Sequence, residues 1–399
     1  MSVEAPFLPA VKPSANTPRR APSAPVKDWW IEIASDRPTL EKHIPAWERL
    51  AKDAVEPNVF YEPWMFLPGL DAFGRDRKPA CVLVYRHDPR PKQPPQLCGF
   101  FPFERLKRFK GLPLRTLRLW DHVYGFLCTP LVHRDWARET LHALLDWIAI
   151  DERPALLDWP KIHGEGAFHQ ALVDVLHERR LLSFVDDVYT RALIRRGADA
   201  DSYCAAAMNH LSRKEWKRQR RRLGEQGKLQ TRVLQPEDDV APWIEQFLAL
   251  EASGWKGREH TALAMSDADR AYFRTIAHNA HAVGQLQMLG HYLNDAPLAL
   301  KCNFLTQDGG FAFKIAFDEA YAKFSPGVQL EIDNIEELHR RPGLEWMDSC
   351  AIPGHFMISR LWKERRTIQS LVIATSRWTG NAIVGALPML RALKRMVRK

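Results

Sequence analysis

The sequence predicts an α/β protein made of two similar halves, each a mixed, largely antiparallel sheet flanked by helices. Three observations carry this. Strand-like alternation and helix-like periodicity interleave along the whole chain. The order of elements repeats: helices, then an antiparallel hairpin, then a helix and a strand again. The chain of 399 residues is long for one domain and comfortable for two. The detailed sequences of the halves do not repeat.

Met1 to Lys27 holds six prolines among Ser and Ala with no apolar run, so it reads as a disordered lead-in and not a signal peptide. WWIEIAS (29–35) alternates as a strand, and a helix follows around 38–54. NVFYEPWMFLPGL reads as a proline-containing link. ACVLVY (80–85) and LCGFFPFE (97–104) form a hairpin around the charged, proline-rich HDPRPKQPPQ loop. A helix over 135–150 puts Leu141, Leu144, Leu145 and Ile148 on one face. A short buried strand (155–159), a helix (168–178) and a strand (183–194) complete the first half, 28–195.

The second half, 196–376, opens with one long helix, Ser202 to Gln226, and a strand, 229–234. Two helices come next. The first, 239–252, turns Trp243, Phe247 and Leu250 inward and stops at Gly254; the second begins after Ser266, a fair N-cap, and ends before Gly284. A three-stranded meander spans 285–293, 298–305 and 311–317, with turns at Asn294–Pro297 and Gln307–Gly310. A helix from about Val328 to Arg340 and strands at 344–350 and 367–374 finish the half.

The formal charge of +9 is unevenly placed. RKEWKRQRRR (213–222) has net charge +6 and ALPMLRALKRMVRK (386–399) has five positive charges, so the rest of the chain is slightly acidic. The basic helix reads as solvated surface with Leu211, Trp216 and Leu223 as its buried stripe, and not as a nucleic-acid contact. Residues 377–399 read as a basic amphipathic tail suited to an anionic membrane surface. The longest uncharged run there, Trp378 to Leu390, is 13 residues, short of the roughly 20 a spanning helix needs. Six dispersed cysteines without a CxxC pair, and fifteen histidines without HExxH, argue for reduced thiols in a cytoplasm and against a zinc site. Cys302 lacks a histidine at a spacing that would make it a nucleophile.

The most informative block is FAFKIAFDEAYAKFSPGVQLEIDNIEEL (311–338). A strand centred on Lys314 ends in Asp318-Glu319, and a loop with Pro326 and Gly327 opens a helix. Backbone N–H groups at such a start form an anion site. Glu331 and Asp333 would oppose an anion only if they faced it. Lys314 on a buried strand needs a partner, which Asp318 or Glu251 can supply.

This block, with Glu251-Ala252-Ser253-Gly254-Trp255-Lys256-Gly257, Thr261-Ala262-Leu263, Asn58 to Trp64 and Thr129-Pro130-Leu131, resembles the GNAT superfamily, in particular acetyltransferases of the CelD/BcsL-like group, relatives of the FemAB aminoacyl transferases. The resemblance covers about 40–375 and is densest over 251–331. It implies two GNAT-like halves, the second catalytic; the dispersed Cys and His already argue for no metal. It implies acetyl-CoA as co-substrate, with the pyrophosphate on Phe324, Ser325, Pro326, Gly327, Val328 and Gln329. The acceptor it implies is an amine or hydroxyl of a saccharide or cell-envelope precursor. Of the superfamily's usual Gln/Arg-x-x-Gly-x-Gly/Ala loop only Gly327 remains, which leaves aminoacyl-tRNA open as donor; a non-catalytic scaffold in polysaccharide export is the other alternative.

Acyl transfer needs a base for the attacking group, a donor for the oxyanion (often an N–H at a strand bulge) and a proton for the departing thiolate. Asp318 and Glu319 are the candidate bases and Tyr321 the candidate acid. Lys314, Asp318 and Tyr321 are expected to line one cavity. Glu251, Trp255 and Lys256 are the candidate acceptor-site residues.

Overall fold

The computed structural model describes residues 28–87 and 94–397. The lead-in 1–27, most of the HDPRPKQPPQ loop and the last two tail residues lie outside it. Among the described residues thirteen strands form one sheet: β1 (Trp29–Ala34), β2 (Ala80–Arg86), β3 (Gln96–Leu106), β4 (Thr116–Leu119), β5 (Leu131–Val132), β6 (Leu156–His163), β7 (Ser183–Arg195), β8 (Leu229–Val233), β9 (Leu286–Leu293), β10 (Ala296–Thr306), β11 (Gly309–Phe317), β12 (Trp346–Asp348) and β13 (Glu364–Ala374).

Their spatial order is β1-β2-β3-β4-β6-β13-β7-β12-β11-β10-β9-β8, with β5 attached to β3 alone. The order is a palindrome. Each half runs five strands from an outer edge towards the middle, and the last strand of each half lies on the far side of the other's. β13, from the second half, sits between β6 and β7; β7, from the first, sits between β13 and β12. The pairing is antiparallel except at two matching places, β4–β6 and β11–β12, each three residue pairs long.

The apolar alternation read from the sequence fills this sheet. Trp47, Phe66 and Phe100 pack on the first half, and Phe247 and Phe273 on the second, within one continuous core. An aromatic seam joins the halves: Phe60 meets Phe311 at 5.4 Å, Trp64 meets Phe304 at 5.4 Å, and Phe73 meets Tyr272 at 5.1 Å. The first and last of these are edge-to-face pairs, which add to area burial. Glu62, buried beside the seam, accepts from Thr306 Oγ1 at 2.7 Å and Gln285 Nε2 at 2.8 Å. Burial raises its pKa, and these bonds offset part of that.

Four expectations need correction. NVFYEPWMFLPGL is no mere link, because Pro63–Phe73 is a helix that begins on Pro63 and tolerates Pro68 inside. Proline at a first helical position costs no hydrogen bond. The long helix is broken at Met208, which is extended, and restarts where Asn209 Oδ1 accepts from Ser212 N at 2.8 Å. An Asn side chain competes for N–H groups in this way and favours a cap. In the restarted helix, His210–Gly224, Leu223 is buried but Leu211 is 75% exposed, so the stripe is narrower than expected. The tail is a helix, Thr379–Val397, whose Val384 and Leu387 bury against Leu156, Val372 and Ala374. β13 does end at Ala374, so the sheet is complete without it.

Candidate functional site

β11 continues past its parallel partner. Only Gly309–Phe311 pairs with Trp346–Asp348; from Ala312 onward the two strands separate. Beside the point of separation β11 carries a bulge: Cys302 faces Lys314 while Asn303 faces Ala312, so Phe313 is the extra residue. A bulge shifts the strand's register and re-aims the side chains beyond it. Here it brings Lys314 onto the face covered by the helix Ala241–Ser253.

That helix supplies Glu251, whose side chain is wholly buried. Its Oε1 accepts from Lys314 Nζ at 2.9 Å and Lys256 Nζ at 3.0 Å, and its Oε2 from Leu263 N at 2.8 Å. Lys256 Nζ also reaches the Ile315 carbonyl at 3.1 Å. Burial acts to raise the Glu251 pKa, but Lys314 and Lys256 win, and the net shift is downward. Burial lowers the Lys256 pKa, opposed by Glu251 and reinforced by Lys314. Two ammonium groups on one carboxylate leave the cluster with a formal charge of +1 in a place of low dielectric, where an additional anion is strongly favoured. The ring of Tyr124, from the first half, lies 5.5 Å from Lys314 Nζ, and burial, with Asp269 beside it, raises its hydroxyl pKa.

The matching gap in the first half is filled by its own chain. There Cys128 N bonds the Lys161 carbonyl at 3.0 Å, His163 N bonds Thr129 Oγ1 at 2.9 Å, and Lys161 Nζ bonds the Gly125 carbonyl at 3.1 Å. No backbone bond joins Ala312–Phe317 to the segment after β12 among the described residues. The plug, Asp121–Thr129, is also what delivers Tyr124 and Phe126 to the second half, where Phe126 meets Phe313 at 5.7 Å.

Past β11, Ser325 adopts a left-handed conformation (φ 51°) as N-cap of the helix Pro326–Arg340 and gives it no side-chain bond. Gln329 Nε2 ties the start to the Phe324 carbonyl at 2.7 Å, and its buried Oε1 has no partner. A β-carbon at Gly327 would sit 3.3 Å from the Phe317 ring. Glu331 and Asp333 turn inward: Glu331 bonds Lys301 Nζ at 2.7 Å and Trp362 Nε1 at 3.1 Å, while Asp333 bonds Arg220 at 2.7 Å and His291 at 2.8 Å. The carboxylates that would repel an anion at this helix start are thereby neutralised inside.

The structure unites Lys314, Glu251 and Lys256 but separates them from the other residues singled out. Asp318 lies on the Lys314 side of the strand by alternation, yet its Oδ1 is occupied by Ala320 N at 2.9 Å. Glu319 is bound to Trp255 N at 2.6 Å and Arg258 at 2.7 Å. Trp255 itself is 47% exposed. Tyr321 packs with Phe324, Leu223 and Leu298. Tyr321 does not join Lys314 and Asp318 as expected, because the turn Glu319–Phe324 rotates it onto its own apolar cluster. Tyr124 and the plug went unseen in the sequence, since only tertiary contact brings them to Lys314.

Residues 211–356 match the acetyltransferase (GNAT) domain family. Among solved structures the chain is similar to FemX, with 10% identity and a TM-score of 0.53 over 86% of this chain and 96% of that one. It is also similar to a conserved protein of unknown function from Bacteroides thetaiotaomicron, with 12% identity and a TM-score of 0.50 over 86% and 99%. At such identity the likeness is one of fold. Comparison with curated proteins gives no match. The splayed β11–β12 pair falls inside the matched segment, and the chain carries a GNAT-type acetyltransferase domain over 211–356 and is an acyltransferase of that type.

Proposed function

We propose that this protein moves an acyl group, acetyl in the simplest case, from acyl-CoA to an amine or hydroxyl of a saccharide or cell-envelope precursor. The observation that carries this is the parting of β11 from β12 beside the Phe313 bulge, with the start of Pro326–Arg340 at the strand's far end. The thioester lies along β11, its carbonyl facing backbone N–H at the bulge, and its pyrophosphate lies on 324–329. The Glu251–Lys256–Lys314 cluster faces the reacting carbon. Its surplus positive charge stabilises the oxyanion of the tetrahedral intermediate and then the thiolate. Lys256, whose pKa burial lowers, gives its proton to the departing thiolate and takes up the proton lost by the attacking amine or hydroxyl, so the cluster ends as it began.

Gly327→Asp should lower acetyl-CoA affinity at least tenfold, about 1.4 kcal/mol. Gly327→Ala, which adds contacts with Phe317 and Met357 and no charge, separates packing from charge. Calorimetry decides it: equal affinity of the Asp variant and the parent, with folding intact, removes the donor assignment.

One observation favours aminoacyl-tRNA as a second reading for the donor. The helix His210–Gly224 packs against the Glu319–Phe324 turn, and its Lys214, Lys217, Arg221 and Arg222 are exposed. Steeply salt-dependent tRNA binding without acetyl-CoA binding would establish that donor instead.

The tail helix contributes to location. Its inner residues dock on the sheet, so a lipid surface would meet Trp378, Met389, Leu390 and Met396, which are exposed. Changing Leu390 and Met396 to Glu should abolish co-sedimentation with anionic vesicles and leave acetyl-CoA binding unchanged. Equal sedimentation of variant and parent would refute attachment through this helix. No helix among the described residues is long and apolar enough to cross a membrane.

A further inference from the structure

A cleft of about 490 Å³ opens between the halves, at the end of the sheet where β11 and β12 begin. Lys314 lies five residues further along β11 and the donor loop begins ten beyond that, so the cleft is removed from the acyl-transfer centre by roughly 15 Å or more at the 3.3 Å rise of a strand.

The walls come from both halves. On one side Glu56, buried, accepts from Phe168 N at 2.7 Å through Oε1, and is bonded to His163 Nδ1 at 2.8 Å through Oε2. The carboxylate is fully used, and it fixes the imidazole so that Nε2 is the nitrogen left for the cleft. Gly166 permits this arrangement, because a β-carbon there would collide with Glu56 Oε1. On the other side stands Arg366, 7% exposed. Its Nη1 donates to Asp348 at 2.9 Å, and its guanidinium lies 4.8 Å from the Trp346 ring. Its Nε and Nη2 make no hydrogen bond among the described residues.

The charge of this wall is unbalanced. Arg191 and Arg366 share the single carboxylate of Asp348, which is 0% exposed. The guanidinium of Arg195, also lining the cleft, makes no hydrogen bond or ion pair among the described residues. Arg134 and Arg365 line it too, but Arg134 Nε and Nη2 and both Arg365 Nη groups are committed to backbone carbonyls. Of the acidic lining groups, Glu56 is committed to His163 and Phe168, and Asp308 accepts from Trp346 Nε1 at 3.1 Å; Glu165 lies exposed at the rim. The free acceptors, on Glu165, Gln307 and Asp308, belong to exposed side chains, whereas the buried wall offers the N–H donors of Arg366. A planar guanidinium held rigid on an aromatic ring is suited to two-point recognition of an oxyanion.

We infer that this cleft is a second ligand site, for a small polar molecule bearing a phosphate or carboxylate, gripped between Arg366 and Arg195 with His163 bonding a hydroxyl or a further oxygen. The volume suits a sugar-sized body. Because the ligand touches both halves, its binding stabilises the folded protein as a whole.

The test titrates the full chain with glucose 6-phosphate, glucuronate and glucose, reading heat and thermal shift. Binding of either charged sugar, with none by glucose, is expected; the two charged probes distinguish phosphate from carboxylate. Arg366→Met should weaken binding at least tenfold and Arg195→Met several-fold, whereas Lys314→Met should leave it unchanged. Should Arg366→Met fail to fold, the exposed Arg195 still provides the decisive variant. The inference is overturned if neither charged sugar binds, if glucose binds equally, if Arg195→Met binds as the parent does, or if Lys314→Met abolishes binding.

Discussion

Glu251→Gln is expected to lose both stability and activity. The substitution keeps the shape of the side chain but leaves Lys256 and Lys314 buried without a counter-charge, and takes from Leu263 N a charged acceptor. Removing one partner of a buried ion pair costs about 3 kcal/mol or more, which urea unfolding would read as a lower midpoint at an unchanged slope. Acetyl transfer should fall at least 100-fold, on the order of 2.7 kcal/mol of barrier, if the cluster faces the reacting carbon. The double variant Glu251→Gln, Lys314→Met removes one stranded cation and should recover part of the stability but none of the activity. Because the folded pKa of Glu251 is depressed, its stabilisation is present above the ordinary carboxylate value and is lost as pH falls through the folded value. The parent should therefore lose more stability on acidification than Glu251→Gln does; identical acid profiles would show that Glu251 is not ionised in the fold.

Asp348→Asn should destabilise at least as much. Asp348 is the common partner of Arg191, at 2.6 Å, and Arg366, at 2.9 Å, and also accepts from Cys350 N at 2.9 Å. Burial acts to raise its pKa, but the two guanidiniums hold it below the ordinary range. Arg191 comes from the first half and Asp348 from the second, so the substitution strikes the join between them. A loss of about 3–5 kcal/mol in chemical unfolding is expected. A change below about 1 kcal/mol, the size of a surface pair, would mean that water reaches the join.

Much of the fold was legible because its elements are locally consistent. The strand Phe311–Phe317, the turn at Asn294 and the Ser266 cap each announce themselves within a few residues, and the structure has them where they were expected. β4 escaped notice because Thr116–Leu119 is four residues with an arginine inside, too short for alternation to register. Helix Pro63–Phe73 was hidden by its two prolines, and helix Thr379–Val397 by Pro388. The site divides in the same way. Lys314 stood out as a cation on an apolar strand, which demands a partner, and Glu251 was one of two named for it. That Asp318 and Tyr321 turn elsewhere depends on the conformation of one short turn, and that Tyr124 arrives from residues far upstream depends on the plug in the other half. Neither can be had from spacing.

The interchange of β7 and β13 has a consequence for how the chain comes to fold. The first half's sheet is interrupted between β6 and β7 until Glu364–Ala374 has been made, so once residues 28–195 have been synthesised β6 still has an open inner edge and β7 has no partner on either side. Such edges recruit other strands. Completion of the early half must wait until residues 364–374 have left the ribosome, which makes the closing step a long-range one with a large loop to close. Neither half is then a unit that can be excised intact. A fragment ending before residue 364 should expose β6 and β7 to one another's neighbours, and aggregation, not an independently stable domain, is what its expression should yield.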